Sequence, residues 1–355
     1  MMTRFEIARQ RLVNQQIANP TFREPGDVVR WMGAVQAQDY AAAKWAVAQR
    51  TKGITEAVIE RAFADGAILR THLLRPTWHF VTPTDIRWML ALTAPRINAA
   101  NAHPYRNLGL DDATFARSNA ALAKALQGGM TLDRSELESV LKQARIVTDD
   151  LRFTYLIMRA ELDGIVCSGG RRGKQFTYAL LDERAPQAKP LERDDALAAL
   201  AKRYYSSRGP ATLQDFAWWS GLTVTDARKG LEMIQPEFLH EVVEGQTFWF
   251  TASARLKKDS TAYLLPNFDE YTVGYKDRRA VFDTAHFKKL GFGGLLDHTI
   301  VIDGQVVGIW RRTLKKDAVV VELKPFASLT KAQSHAVAMA AQRYGAFLDL
   351  PVVLA

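Results

Sequence analysis

The chain has 355 residues, 48% apolar and 24% charged, a composition that excludes a disordered protein and predicts two to four folded domains. Its 47 Lys and Arg against 38 Asp and Glu leave a formal charge of +9, which favours a polyanionic partner. No run of about 18 apolar residues predicts a membrane span. The start MMTRFEIARQRLV lacks an apolar signal core, and the single cysteine, Cys167, excludes a disulfide within the chain; both point to a cytoplasmic protein.

In chain order, FEIARQRLVNQQI predicts an N-terminal helix. Pro25-Gly26-Asp27 marks the next helix start, with Asp27 placed to cap it. VVRWMGAVQAQD reads as a helix nearing its end, its core side carried by Val29, Met32 and Val35. AAAKWAVAQR and EAVIERAFADG follow as helices. ILRTHLL and TWHFVT predict strands turned at Arg75-Pro76. Then ATFARSNAALAKAL is a helix stopped by Gly128-Gly129. TLDRSELESVLKQAR is a helix with Thr131 or Asp133 as its cap, and DDLRFTYLIMRAELDG ends at Gly164. IVCS and QFTYALL are strands joined by GGRRGK. DDALAALAKRYYSSRG, ATLQDFAWWSG and TVTDARKGLEMI are helices, followed by strands FLHEVV and TFWFTA around Glu244-Gly245.

A plan of helices followed by a two-stranded hairpin thus occurs three times, about 70–80 residues apart. Three helices and a β-hairpin make the winged-helix plan, whose third helix usually enters the major groove while the hairpin touches phosphate. The last part differs. AYLLPNFDEYTVGYKDRR leads into HTIVIDGQVVGIWRRTLKKDAVVVELKPF, where alternation and Asp303-Gly304 predict a hairpin, and KAQSHAVAMAAQRYGAFL closes the chain as a helix. The expected fold is α+β and mainly helical: three tandem winged-helix modules, then a small β-rich module. The predicted boundaries are 1–108, 109–190, 191–258 and 259–355.

The charge gathers at turns: SGGRRGK (168–174), RLKK (255–258), YKDRR (275–279) and RRTLKK (311–316). A single such cluster is as readily solvated surface as a binding site, and several on turns favour a binding surface. Arg70, His72, Arg75 and His79 fall on the first wing, where phosphate contact is natural, and Trp78 there either stacks or is half-core. Arg171, Arg172 and Lys174 on the second wing are the strongest phosphate candidates. Arg278, Arg279, Arg311 and Arg312 extend the basic surface or are simply solvated.

Other chemistries find little support. The seven histidines are dispersed, and His72 and His79, the one close pair, sit on opposite strands of a hairpin. No Cys-x-x-Cys or His-Glu-x-x-His suggests a metal, GFGG (291–294) lacks the P-loop lysine, and no dinucleotide fingerprint or Gly-x-Ser-x-Gly is present. Cys167 reads as a small buried residue. No metal and no cofactor are expected. A DNA-binding regulator, a fuel-free enzyme on DNA and a small-molecule binder on the same fold remain open. Three modules in one chain fit a monomer curling around one duplex better than a dimer reading a palindrome.

VQAQDYAAAKWAVAQR, ILRTHLLRPTWHFVTP, LLPNFDEYTVGYKDR and VVGIWRR, spread in order along nearly the whole chain, resemble the AlkZ/YcaQ-like winged-helix DNA glycosylases. The resemblance implies a C-shaped basic surface and a bacterial monofunctional glycosylase that removes N7-alkylguanine, including bulky adducts and interstrand crosslinks, from double-stranded DNA. It also implies a catalytic Gln-apolar-Gln motif, matched here by Gln36-Ala37-Gln38. Asp39 falls one position too late for the Gln-apolar-Asp branch. A glutamine amide is no general base at neutral pH, though it can hold a water with its carbonyl and donate with its NH2 group. An N7-alkylguanine is already cationic and leaves without acid assistance, so positioning and electrostatics suffice. In a helix, however, residues two apart do not share a face.

Overall fold

A computed structural model describes residues 2–149, 151–252, 261–283 and 297–355. RLKK (255–258) and GFGG (291–294) lie outside the described residues.

Helix α1 (Arg4–Asn14) begins with a capping box between Thr3 and Glu6. It is followed by α2 (Pro25–Met32), strand β1 (Val35–Gln36), α3 (Tyr40–Ala48), α4 (Glu56–Ala64) and the hairpin β2 (Leu69–Leu73) and β3 (Thr77–Val81). Asp27 is not the cap of α2. Glu24 occupies that position without a side-chain bond, Pro25 starts the helix, and Asp27 faces the positive end of the helix dipole. Helices α5 (Ile86–Ala100) and α6 (Ala102–Asn107) follow where no element was expected.

The same order then recurs. It is α7 (Asp112–Leu126), β4 (Leu132–Asp133), α8 (Arg134–Gln143), α9 (Arg152–Leu162) and the pair β5 (Val166–Ser168) and β6 (Thr177–Leu180), with a short α10 (Leu181–Arg184). Of the two candidates, Asp133 caps α8, in a capping box with Glu136. The third round is α11 (Arg193–Arg208), α12 (Leu213–Ser220), α13 (Val224–Ile234), β7 (Leu239–Val243) and β8 (Gln246–Phe250). Here Ala211 bridges to Trp249 in the place that β1 and β4 hold in the earlier rounds. Each round therefore ends a helix, runs a short extended piece along the hairpin, and starts the next helix on a polar cap. The sheets follow as β1-β3-β2 and β4-β6-β5.

A five-stranded sheet closes the molecule, in the order β13-β12-β11-β10-β9. Its strands are β9 (Ala262–Leu265), β10 (Thr299–Ile302), β11 (Gln305–Leu314), β12 (Val319–Pro325) and β13 (Val352–Leu354), with α14 (Glu270–Val273) and α15 (Lys331–Leu348) between them. Asp303 and Gly304 both take positive φ at the β10–β11 turn, as a tight hairpin requires. This sheet and α15 bury Leu264, Trp310, Tyr344 and Phe347 in one cluster with Val35, Tyr40, Trp45 and Phe80. A second cluster joins Leu69, Leu73 and Leu90 to Tyr204, Phe216 and Trp219. The segment carrying Gln36 runs between these two cores.

Candidate active site

The helix containing Val29 and Met32 stops at Gly33, whose φ of 74° an L side chain rarely adopts. The chain then runs extended, which corrects the expected helix over VVRWMGAVQAQD. Val35 pairs with Phe80 and Gln36 with His79, and the Ala37 amide donates to the Trp78 carbonyl at 2.8 Å. Gln36 thus ends a strand and Gln38 lies in the bend after it, so the helical geometry that separates residues two apart does not apply to the pair. Gln36 is buried and its Oε1 has no hydrogen-bond partner, whereas Gln38 is exposed. Asp39 caps α3 through the Ala42 amide at 3.0 Å and accepts from Asn267 Nδ2 at 3.2 Å.

The stretch from the last helical residue to the next cap is equally long in the first two rounds, Met32 to Asp39 and Leu126 to Asp133, and shorter in the third, Arg208 to Thr212.

Buried charge holds this segment. The Gln36 amide donates to Glu270 Oε1 at 2.9 Å. Glu270 Oε2 accepts from Arg208 Nη2 at 2.7 Å, Arg208 Nε at 3.1 Å and Trp219 Nε1 at 2.9 Å. Arg208 in turn donates to the carbonyls of Met32 at 2.6 Å and Ala34 at 2.9 Å. Burial alone would raise the Glu270 pKa, yet the Arg208 charge, His79 and these hydrogen bonds hold it below the usual carboxylate value. Next to it, Asp269 is chelated by Arg50 at 2.8 and 3.0 Å, again without solvent exposure. Arg208, Arg50 and the acid pair were not singled out from sequence. The signal available was an Asp-Glu dipeptide set among apolar residues in LLPNFDEYTV.

His79 is fully buried rather than on an open wing. Its Nδ1 meets the Thr77 carbonyl at 2.9 Å, its Nε2 has no partner, and burial pushes its pKa down to about 4. Thr71, across from His79 on β2, also has an unpartnered hydroxyl. Gln36, His79 and Thr71 thus form one row across the sheet.

The other cationic candidates divide. Arg70 is buried, not solvent-facing: its Nε donates to the Ala37 carbonyl at 3.0 Å, and its guanidinium lies over Trp78 at 4.3 Å and Phe176 at 4.7 Å. It therefore braces the motif from the side opposite Glu270. His72 is buried against Glu161, with its ring 4.3 Å from that of half-buried Trp78. Arg171 reaches Glu60 at 3.0 Å and links the second hairpin to α4. Arg172 pairs with Glu136, Arg279 with Asp277, and Arg312 donates to Tyr344 at 2.6 Å. Lys174 and Arg311 are exposed, with no ion pair among the described residues. Arg75 and Arg278 flank Trp218. A cavity of about 830 Å³ lies away from the glutamines, between Trp45, Tyr263, Met339 and Phe347.

Helix-and-hairpin rounds around a polar, carboxylate-braced segment define the class: a family model for DNA glycosylases matches residues 29–347, most of the chain including the glutamine segment. The chain belongs to the AlkZ-like DNA glycosylase family. It is 26% identical over 317 residues to an interstrand DNA cross-link repair glycosylase of Streptomyces sahachiroi, covering 84% of this chain and 85% of that protein. The solved structure of the Streptomyces sahachiroi DNA glycosylase AlkZ shares the fold, with a TM-score of 0.82 over 100% of both chains at 24% identity.

Proposed function

We propose that this DNA glycosylase hydrolyses the N-glycosidic bond of cationic, N7-alkylated purines in duplex DNA, with Gln36 and Gln38 as its catalytic residues. The observation that carries the reading is that, among the described residues, the carboxylates Asp39, Asp269 and Glu270 around the motif are each already engaged. Asp39 caps a helix, Asp269 is held by Arg50, and Glu270 is held by Arg208, Trp219 and the Gln36 amide. Such a site can orient water but has no strong base nearby, so it suits a base that leaves readily. The amide carbonyls accept hydrogen bonds from a water below C1′ and, by their dipoles, stabilise the developing sugar cation. Water oxygen bonds to C1′, the C1′–N9 electrons move onto the cationic purine, which departs neutral, and the water proton passes to solvent.

Bulky adducts and interstrand crosslinks belong to the same proposal, the latter being the lesion named for the Streptomyces relative. We read the three repeated rounds as winged helices curved around the duplex, with boundaries at 108, 190 and 258. The enzyme acts as a monomer in the bacterial cytoplasm, needs no metal or cofactor, and uses cationic side chains to contact phosphate without reading sequence.

The test is release of N7-methylguanine from a defined duplex. Gln36→Ala and Gln38→Ala each lower single-turnover release by about 100-fold while leaving duplex affinity within a few-fold. Unchanged release in both variants overturns the catalytic assignment. Release of uncharged purines at a comparable rate overturns the substrate class.

A further inference from the structure

Trp218 stands apart from its neighbours on α12. Ala217 and Trp219 are buried, while Trp218 is 43% exposed. Two arginines from distant parts of the chain lie beside it: Arg75 from the first hairpin turn, 5.4 Å from the ring centroid, and Arg278 from the segment after α14, at 5.9 Å. Neither arginine is in an ion pair among the described residues. Arg278 is anchored by donation to the Thr272 carbonyl at 2.7 Å. Both guanidiniums are partly desolvated, and the charge of Arg75 bears unfavourably on Arg278. Glu270 acts favourably on Arg75 and Asp215 on Arg278, but neither carboxylate is ion-paired with them, so an arriving anion can bind both guanidiniums directly.

The arrangement is also preorganised. A Cβ added to Gly221, at the end of α12, would lie 2.4 Å from the Leu74 carbonyl oxygen, so the first hairpin turn is seated directly on α12. Trp219, the next residue, donates to the Glu270 carboxylate that also takes the Gln36 amide. The exposed indole and the glutamine strand therefore share one rigid support.

We propose that Trp218, Arg75 and Arg278 form a nucleotide site for the DNA substrate, in which the indole stacks on one unstacked base and the guanidiniums hold a phosphate next to it. A base inside a duplex has both faces covered, so only a base displaced from the stack can use the indole. Two arginines converging on one anion match phosphate better than isolated surface lysines do. The site rests on membership of a DNA glycosylase family and is independent of the role given to the glutamines.

The experiment compares equilibrium binding of an intact duplex and the same duplex carrying one unpaired, bulged base. The wild-type protein binds the bulged duplex more tightly. Trp218→Ala loses about tenfold or more on the bulged duplex and little on the intact one, and Trp218→Phe retains most of the preference. The double variant Arg75→Ala, Arg278→Ala reduces the slope of log affinity against log salt by about one. Thermal melting checks that each variant is folded; Trp218 is exposed, so its removal leaves the core intact. Equal affinity of Trp218→Ala and wild type for the bulged duplex overturns the stacking role. Equal losses on both duplexes overturn it too, and an unchanged salt slope overturns the phosphate role. N7-methylguanine release by the glutamine variants is scored separately, so failure of one assignment leaves the other standing.

Discussion

At the residue scale, the motif is defined as much by its supports as by its amides. Gln36 and Gln38 are visible in the sequence, but Arg70, Arg208 and Glu270 fix the backbone around them through the Ala37 carbonyl, the Met32 and Ala34 carbonyls and the Gln36 amide. His79 sits inside the same construction and is held neutral. Its pKa near 4 lies below the ordinary value of 6.5, so between those values the unfolded chain binds more protons than the native one. Stability therefore falls as pH drops through that window. Between about pH 4.5 and 6.5 the histidines dominate, because the lowered Glu270 stays charged in the native state. Urea unfolding at pH 5 gives a stability lower than at pH 7 by about 2 kcal/mol from His79, and His298, also lowered to about 4, adds to the trend. Replacement by a residue that does not titrate, His79→Gln, flattens the profile; an unchanged slope in that variant assigns the effect elsewhere.

At the element scale, the turns decide where the motif points. Gly33 permits the switch from α2 into the extended β1, and without that switch Gln36 and Gln38 would face different sides of a helix. Gly221 plays the corresponding role for the first hairpin. Its φ of 70° and the closeness of the Leu74 carbonyl leave no room for a methyl group. Gly221→Ala thus lowers stability by about 2 kcal/mol or more, through a strained backbone and a displaced hairpin turn. Chemical denaturation measures the loss, and full wild-type stability would show that the hairpin is not seated on α12.

At the scale of the whole molecule, the last 95 or so residues are part of the site rather than an appendage. Asp269 and Glu270 reach across the chain to Arg50 and Arg208, and the closing sheet completes the core beneath β1. A buried ion pair is a poor source of net stability, but leaving one partner alone is strongly unfavourable. Glu270→Gln leaves the Arg208 guanidinium buried without its counter-charge and lowers stability by about 3–5 kcal/mol. Release of N7-methylguanine drops with it, since the Gln36 amide and the Met32–Ala34 segment lose their common anchor. Retention of both stability and activity in Glu270→Gln would show that the pair is dispensable.

The sequence by itself determined most of the local elements, though not the break after Met32 or helices α5 and α6. Helical spacing, glycine stops, polar caps and paired positive-φ turns such as Asp303-Gly304 are local preferences, written within a few residues. The glutamine motif was likewise readable because its letters are contiguous. Only the tertiary structure decided which charges are free. Arg70, His72, Arg171 and Arg172 look alike as basic residues on hairpins, yet their partners, Ala37, Glu161, Glu60 and Glu136, lie 33 or more positions away. Burial and pairing across such distances depend on how the rounds stack, which no local pattern encodes. The same long-range packing placed Arg75, Trp218 and Arg278 side by side and set the strand ending at Gln36 between two cores.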